Sequence, residues 1–453
     1  MRLRKLVVIL LFCLCSIRHA RADATLFLGE PYGYDGALAG TGHASVYLSR
    51  VCAASPVVLR LCSPGETGIV LSRYRGIGGY DWIAIPLIPY LYAVEKQEDI
   101  PLFVDAKLLA FLRDRYRRDL LESLVPDLPD GGTPGGVWYE LIGASYIRTI
   151  YAFEIATTSE QDAALIRKLN SRPNRQRWTL ITANCADFAR GVIDFYHPHA
   201  AHRSIVADLG VTTPKQLART LSSYTRRHPE LRTSRPSNYA IPQVPGTVPR
   251  SRPAHTVTEC ALTAKKYMLP LFALHPYIAG ALVAGYVGHG RFNLSRNALI
   301  LDSQQQLDAP LTRLTRMDRR AVQDRFEELL RTESWAAAAD DPHWASLHAA
   351  AEPAFDASGE PTLKVRLGGE VTPVGIARAN ILSVPQGFEF AAGLVKARLR
   401  EELKSAAARK TARADVESDL LLLQQLLARP PGELGSTAAS ATTAALSPRQ
   451  SAP

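Results

Sequence analysis

From Tyr267 to His289 the chain runs 23 residues without an aspartate, glutamate, lysine or arginine. A stretch this apolar has three fates: to span a membrane, to bury itself as a hairpin, or to lie at an interface. Lys265 and Lys266 before it and Arg291 after it suit a span, whereas its two prolines, two histidines and interspersed glycines favour the hairpin or the interface. In each case the run divides the chain. An α+β half precedes it and a charged, mostly helical region follows.

The N-terminus sets the chemistry of the cysteines. MRLRK, the apolar run LVVILLFCLC and Ala20-Arg21-Ala22 form a basic region, a short hydrophobic core and an A-x-A cleavage signal. Residues 1–22 therefore read as a secretory signal, and the protein as exported, periplasmic or envelope-associated. The signal holds five basic residues and no acid, so a net charge of +10 becomes +5 in the mature chain. That mild excess suits an anionic envelope or lipid surface. No aromatic-studded basic strand accompanies it, so nucleic acid is not expected as a partner. Four cysteines remain, which allows three pairings in an oxidising compartment. Cys52 and Cys62 flank AASPVVLRL and form the natural local pair. Cys185 and Cys260 are then a second bridge or two free thiols.

Residues 23–235 alternate strand-like and helical patterns. ASVYL, PVVLRL, TGIVLSRY and SYIRTIYAFEI read as strands from their β-branched and aromatic content. AKLLAFLRDRYRRDLLESL reads as a helix, with Leu109, Leu112, Tyr116 and Leu120 at helical spacing. Thr158 and Gln161 are spaced as a capping box for a second helix. Five prolines between Arg235 and Ala254 predict an extended linker over 236–262. Residues 263–430 combine the apolar segment with helices and a few strands, around LKVRLGG and RANILSV, and a Ser/Thr/Ala/Pro-rich tail over 431–453 reads as disordered.

The stretch TLITANCADFARGVIDFYHPH carries the chemistry. Phe188, Val192 and Phe195 recur at helical spacing, and Thr182 or Asn184 can cap the helix, placing Cys185 in its first turn. Free amides and the positive end of the helix dipole there predict a lowered thiol pKa. A thiol nucleophile also needs a base. His43, 142 residues upstream in GTGHASVYL, enters a strand on the same face as Ser45 and Tyr47.

GTGHASVYL followed at a distance by ANCADFARGVI resembles the circularly permuted branch of the NlpC-like, papain-fold thiol enzymes, in which the histidine strand precedes the cysteine helix. The nearest similarity is to the Lnb N-terminal periplasmic domain family. The resemblance covers about residues 25–230. It implies an antiparallel sheet packed against a nucleophile-bearing helix, with Cys185 as nucleophile and His43 as base. It also implies a third polar group that orients the imidazole, for which Glu66 in SPGETGIVL stands ahead of Ser72. Asn184 is read as a cap. The implied activity is acyl transfer or hydrolysis through a thioester, on lipid or lipoprotein acyl groups, with an envelope acyl donor as partner. Residues 75–145, with the insert GGYDWIAIPLIPYLY, depart from the family pattern.

Two other readings compete: a peptidoglycan stem-peptide amidase or endopeptidase, and a non-catalytic envelope scaffold in which a Cys185–Cys260 disulfide abolishes the nucleophile. His197, His199 and His202 cluster in HPHAAH without a further ligand, so neither a metal nor a cofactor is expected. Membrane association is expected through residues 267–289. Nothing in the sequence speaks to oligomeric state.

Overall fold

Alternation along the first two strands divides the molecule into layers. In β1 (Ala22–Gly29) and β2 (His43–Leu48), Leu26, Leu28, Ala44, Val46 and Leu48 point to one face, and Phe27, His43, Ser45 and Tyr47 to the other. Both faces are covered, so even Thr25 and Ser45 are fully buried. In the computed structural model the described residues are 22–33, 39–233, 238–246, 248–263, 265–289, 292–294, 298–300, 319–332, 350–357, 359–367, 370–377, 392–393, 395–397, 399–400, 403 and 414–427. Residues 1–21 of the expected signal, the strand expected at RANILSV and the tail from Pro430 lie outside them.

β3 (Val51–Ser55) and β4 (Val58–Leu61) form a separate two-stranded hairpin, and the main sheet continues with β5 (Ile69–Ser72), β6 (Ile83–Pro86), β7 (Ile150–Thr157), β8 (Asn238–Ile241) and β9 (Leu299–Ile300). The strand order is β6-β5-β2-β1-β7-β8-β9, antiparallel except for the β8–β9 pair. The class is α+β, as expected.

The cysteine helix, Cys185–Tyr196, lays Ala186, Phe188, Ala189, Val192 and Ile193 on the Ala44/Val46 face. Helix Pro214–Arg227 adds Leu217 and Leu221 to that layer. The opposite face packs on Leu87–Tyr92 and Ala106–Tyr116. The expected capping box is present: Thr158 accepts from the Gln161 amide and Gln161 returns the bond, starting helix Ser159–Asn170.

Three expectations change. The proline-rich linker holds a strand: Asn238–Ile241 is free of proline and pairs with Ile150–Phe153 of β7. The region after residue 263 is not a separate body. Val322, Phe326, Leu363 and Leu420 share the core of the first half, Phe355 stacks on Phe111, and Arg250 pairs with Asp419 at 2.7 Å. The 267–289 run is broken at Pro276 into helices Lys265–Leu274 and Pro276–His289, and no helix among the described residues is long and apolar enough to cross a membrane.

The expected Cys52–Cys62 disulfide is formed across the β3–β4 hairpin, and Cys185 and Cys260 are free. Closing so short a loop removes unfolded-state freedom. Replacing both Cys52 and Cys62 by serine is expected to cost about 2–3 kcal/mol, read from the denaturant midpoint. An unchanged midpoint would show that the bridge contributes nothing to stability.

Candidate active site

Cys185 owes its place to Asn184. The Asn184 side chain accepts from the Asp187 amide at 2.9 Å, and the Asp187 carboxylate accepts from the Asn184 amide at 3.3 Å. This reciprocal cap contributes about 1 kcal/mol and makes Cys185 the first helical residue. The Asn184 amide nitrogen donates to the Leu180 and Thr212 carbonyls, and Asp187 also accepts from Arg203 and Thr212. Asn184 is thus a cap, as expected, with its side chain fully engaged. Thr182 instead meets the Thr179 hydroxyl at 2.8 Å.

β2 brings the histidine. Gly42 adopts φ +77°, and a Cβ there would stand 2.3 Å from the Gly29 carbonyl oxygen, so the turn into His43 requires glycine. His43 sits opposite Gly29 in the register and is only 8% exposed. Its ring stacks on Tyr74 at 4.3 Å and 13°. His43 Nε2 is buried and has no hydrogen-bond partner among the described residues. One residue on, the backbone amide of Ala44 reaches the Cys185 sulfur, joined there by the amides of Ala186 and of Cys185 itself. The sulfur thus meets the strand one residue from His43, on the Ala44 face, while the imidazole leaves on the opposite face against Tyr74, and no hydrogen bond joins the two.

The electrostatics correct one expectation. Burial pushes the Cys185 thiol above its ordinary value; the Ala44 and Ala186 amides pull it down but are outweighed, and Glu140 adds to the rise. Burial, then the Arg148 charge, drives His43 well below the usual imidazole range. Both groups therefore rest neutral, because burial removes water that a helix dipole alone cannot replace.

Around His43 lie groups that the sequence reading missed. The Tyr74 hydroxyl donates to the Glu140 carbonyl at 3.0 Å. Arg148 Nη2 donates to Glu140 Oε2 at 2.9 Å, and the Arg148 guanidinium covers the Tyr32 ring at 4.5 Å. The Arg148 stem crosses Gly29 so closely that a Cβ there would meet its Cδ at 2.6 Å. A signal did exist, since Arg148 is a charge inside the apolar strand pattern SYIRTIYAFEI.

Glu66 is not brought to this pair. Ile69 pairs with Leu48, so Glu66 lies beyond the far end of β2 from His43, five residues or about 17 Å along the strand. Its carboxylate accepts from Arg60 Nη1 and Nη2 and from the Ser63 amide, each at 2.6 Å, in an exposed turn. Ser72, the second candidate, faces the Tyr90 hydroxyl, which also meets Ser45 Oγ at 2.9 Å. Cys260 packs under Gly40 of the turn preceding His43. The disulfide on which the scaffold reading depended is therefore not formed. His197 Nε2 contacts the Ala156 carbonyl and His202 Nδ1 the Arg203 carbonyl, local contacts rather than a shared site.

No protein-family model and no curated protein matches the chain. Among solved structures, the crystal structure of the Type VI secretion system effector TseH is similar at 15% identity, over 45% of this chain and 90% of that one. Its TM-score is 0.23, a likeness too low to support an argument.

The raised thiol pKa has a direct readout. The rate of Cys185 alkylation by iodoacetamide, mapped by mass spectrometry, should keep climbing with pH beyond the ordinary thiol midpoint of about 8.5. A midpoint near neutrality would restore the thiolate picture.

Proposed function

We propose that the protein is an exported thiol enzyme of the bacterial cell envelope, with Cys185 as nucleophile and His43 as general base. One observation supports this most: a free thiol at a capped helix start meets the Ala44 amide, next to a buried histidine whose Nε2 is unpartnered. Because both groups rest neutral, the proton leaves the thiol as the bond forms. The Cys185 sulfur attacks an ester or amide carbonyl and His43 takes its proton. His43 then gives that proton to the departing alcohol or amine, leaving a thioester. Water or an amine, deprotonated by His43, attacks the thioester, and His43 returns that proton to the departing Cys185 sulfur, restoring the neutral thiol. The amides converging on the sulfur lie where an oxyanion would develop. The order of histidine strand and cysteine helix supports a permuted NlpC-like, Lnb-type reading.

Lipid or lipoprotein acyl groups are the favoured substrates, because an apolar surface adjoins the site. Helix Pro276–His289 is apolar all round, yet Tyr277, Ile278 and Val287 are exposed, as are Leu269 and Leu274 on the preceding helix. Val206 of the short helix Ile205–Asp208 packs against Gly285, and Ile205 and Leu209 extend the exposed surface. At 14 residues the longer helix is about 21 Å, too short to span a bilayer but suited to lie in its surface. Helix Val257–Thr263, which packs under the turn before His43, connects this surface to the site.

Incubation with p-nitrophenyl hexanoate is expected to give a hexanoyl adduct on Cys185, seen by peptide mass spectrometry. Cys185→Ala should abolish the adduct, and His43→Ala should slow its formation about 10²–10⁴-fold. Unchanged ester turnover in Cys185→Ala would sink the thiol mechanism, while release of stem peptides from muropeptides would replace the lipid preference. In vesicle flotation with anionic phospholipid, the chain should float and Leu269→Glu/Tyr277→Glu should not. Equal flotation of both would remove the membrane surface.

A further inference from the structure

Acyl transfer by Cys185 and His43 does not require a buried arginine beside them, yet Arg148 is there. It is 4% exposed, and its stem lies over Gly29, the residue paired with His43. A guanidinium presents two parallel N–H bonds along its Nε–Nη2 edge, matched to the two oxygens of a carboxylate or phosphate. Here that edge is half used. Nη2 donates to Glu140, whereas Nε is buried without a partner among the described residues. An unmet donor on a buried cation is costly, and a bound oxyanion would satisfy it.

A second guanidinium stands behind the first. Arg113 is buried, donates to the Ile142 and Gly143 carbonyls at 2.9 and 3.3 Å, and covers the Tyr139 ring at 5.6 Å. Burial pulls it down to about 10, which leaves it cationic at neutral pH. The Glu140 carboxylate acts on both arginines. Glu30, beside β1, accepts from the Ser251 hydroxyl. Glu140 is also more exposed than the arginine it pairs with: its side chain keeps 21% of its surface against 5% for Arg148. It follows a glycine loop whose Gly131 and Gly136 have φ of +77° and +128°. Rotation of the partly exposed Glu140 side chain alone, with its backbone held by the Tyr74 bond, would free the arginine edge for another oxyanion.

We propose that Arg148 is an oxyanion-binding subsite, taking a carboxylate or phosphate group carried by the acyl donor close to the carbonyl that Cys185 attacks. Glu140 occupies the place of that group in the empty site. The subsite rests on the thiol-enzyme reading for its role but not for its existence, and two measurements keep them apart. In calorimetry, the full chain should bind inorganic phosphate or acetate. Glu140→Gln should tighten that binding several-fold and Arg148→Met should abolish it; binding indifferent to both variants, or no binding, overturns the subsite. In kinetics, kcat/KM for p-nitrophenyl hemiadipate should exceed that for p-nitrophenyl hexanoate by about tenfold. The ratio should rise in Glu140→Gln and fall to about one in Arg148→Met. Equal values for the two esters in the native chain, with Cys185 acylated by both, refute the subsite and leave the thiol enzyme standing. Acylation by neither ester refutes the thiol enzyme, while the calorimetry still decides the subsite. Stronger competition by phosphate than by acetate assigns the natural group as a phosphate, and the reverse as a carboxylate.

Discussion

The ends of β1 and β2 approach each other so closely that side chains are excluded from the contact. A Cβ on Gly42 would stand 2.3 Å from the Gly29 oxygen, and one on Gly29 would strike the Arg148 stem at 2.6 Å. Two glycines therefore allow two things at once: the turn into His43 and the passage of Arg148 across the strand. Backbone proximity is a stiffer positioning device than side-chain packing, because it has no rotamers to relax. The cap at Asn184 does the same for the helix, fixing Cys185 through bonds between its neighbours rather than through its own side chain.

A site built this way is dry, and dryness decides the protonation state. Helix-start amides alone would favour a thiolate, but burial acts on the thiol and the imidazole together and keeps both neutral. The charges that remain are those with partners: Arg148 with Glu140 and the Tyr32 ring, and Arg113 with carbonyls and the Tyr139 ring. On the proposed mechanism, the proton would then move at the moment of attack rather than from a standing ion pair.

What was legible in the sequence was local. The Thr158 and Asn184 caps, the Cys52–Cys62 bridge, the β2 alternation and the helical face from Phe188 to Val192 follow from spacing over a few residues, and the structure shows each of them. Glu66 was misplaced because its role depended on register: one pairing, Ile69 with Leu48, sends it to the wrong end of β2. Tyr74 and Arg148 went unnoticed for the same reason, since only the folded register sets them beside His43. Composition also misled, since proline density around residues 236–253 suggested a linker while the proline-free tetrad Asn238–Ile241 was long enough to pair.

That tetrad carries a consequence for how the protein can be divided. β8 covers the outer edge of β7 from Ile150 to Phe153, and β7 in turn borders β1, which holds the histidine strand in register. A chain ending near residue 235 would leave this row of backbone donors and acceptors bare in the middle of the sheet. The half of the sequence that bears the cysteine and the histidine is thus not an independent module. Its sheet is completed by residues that come after it, so cutting the chain between them would expose an edge that the whole protein keeps covered.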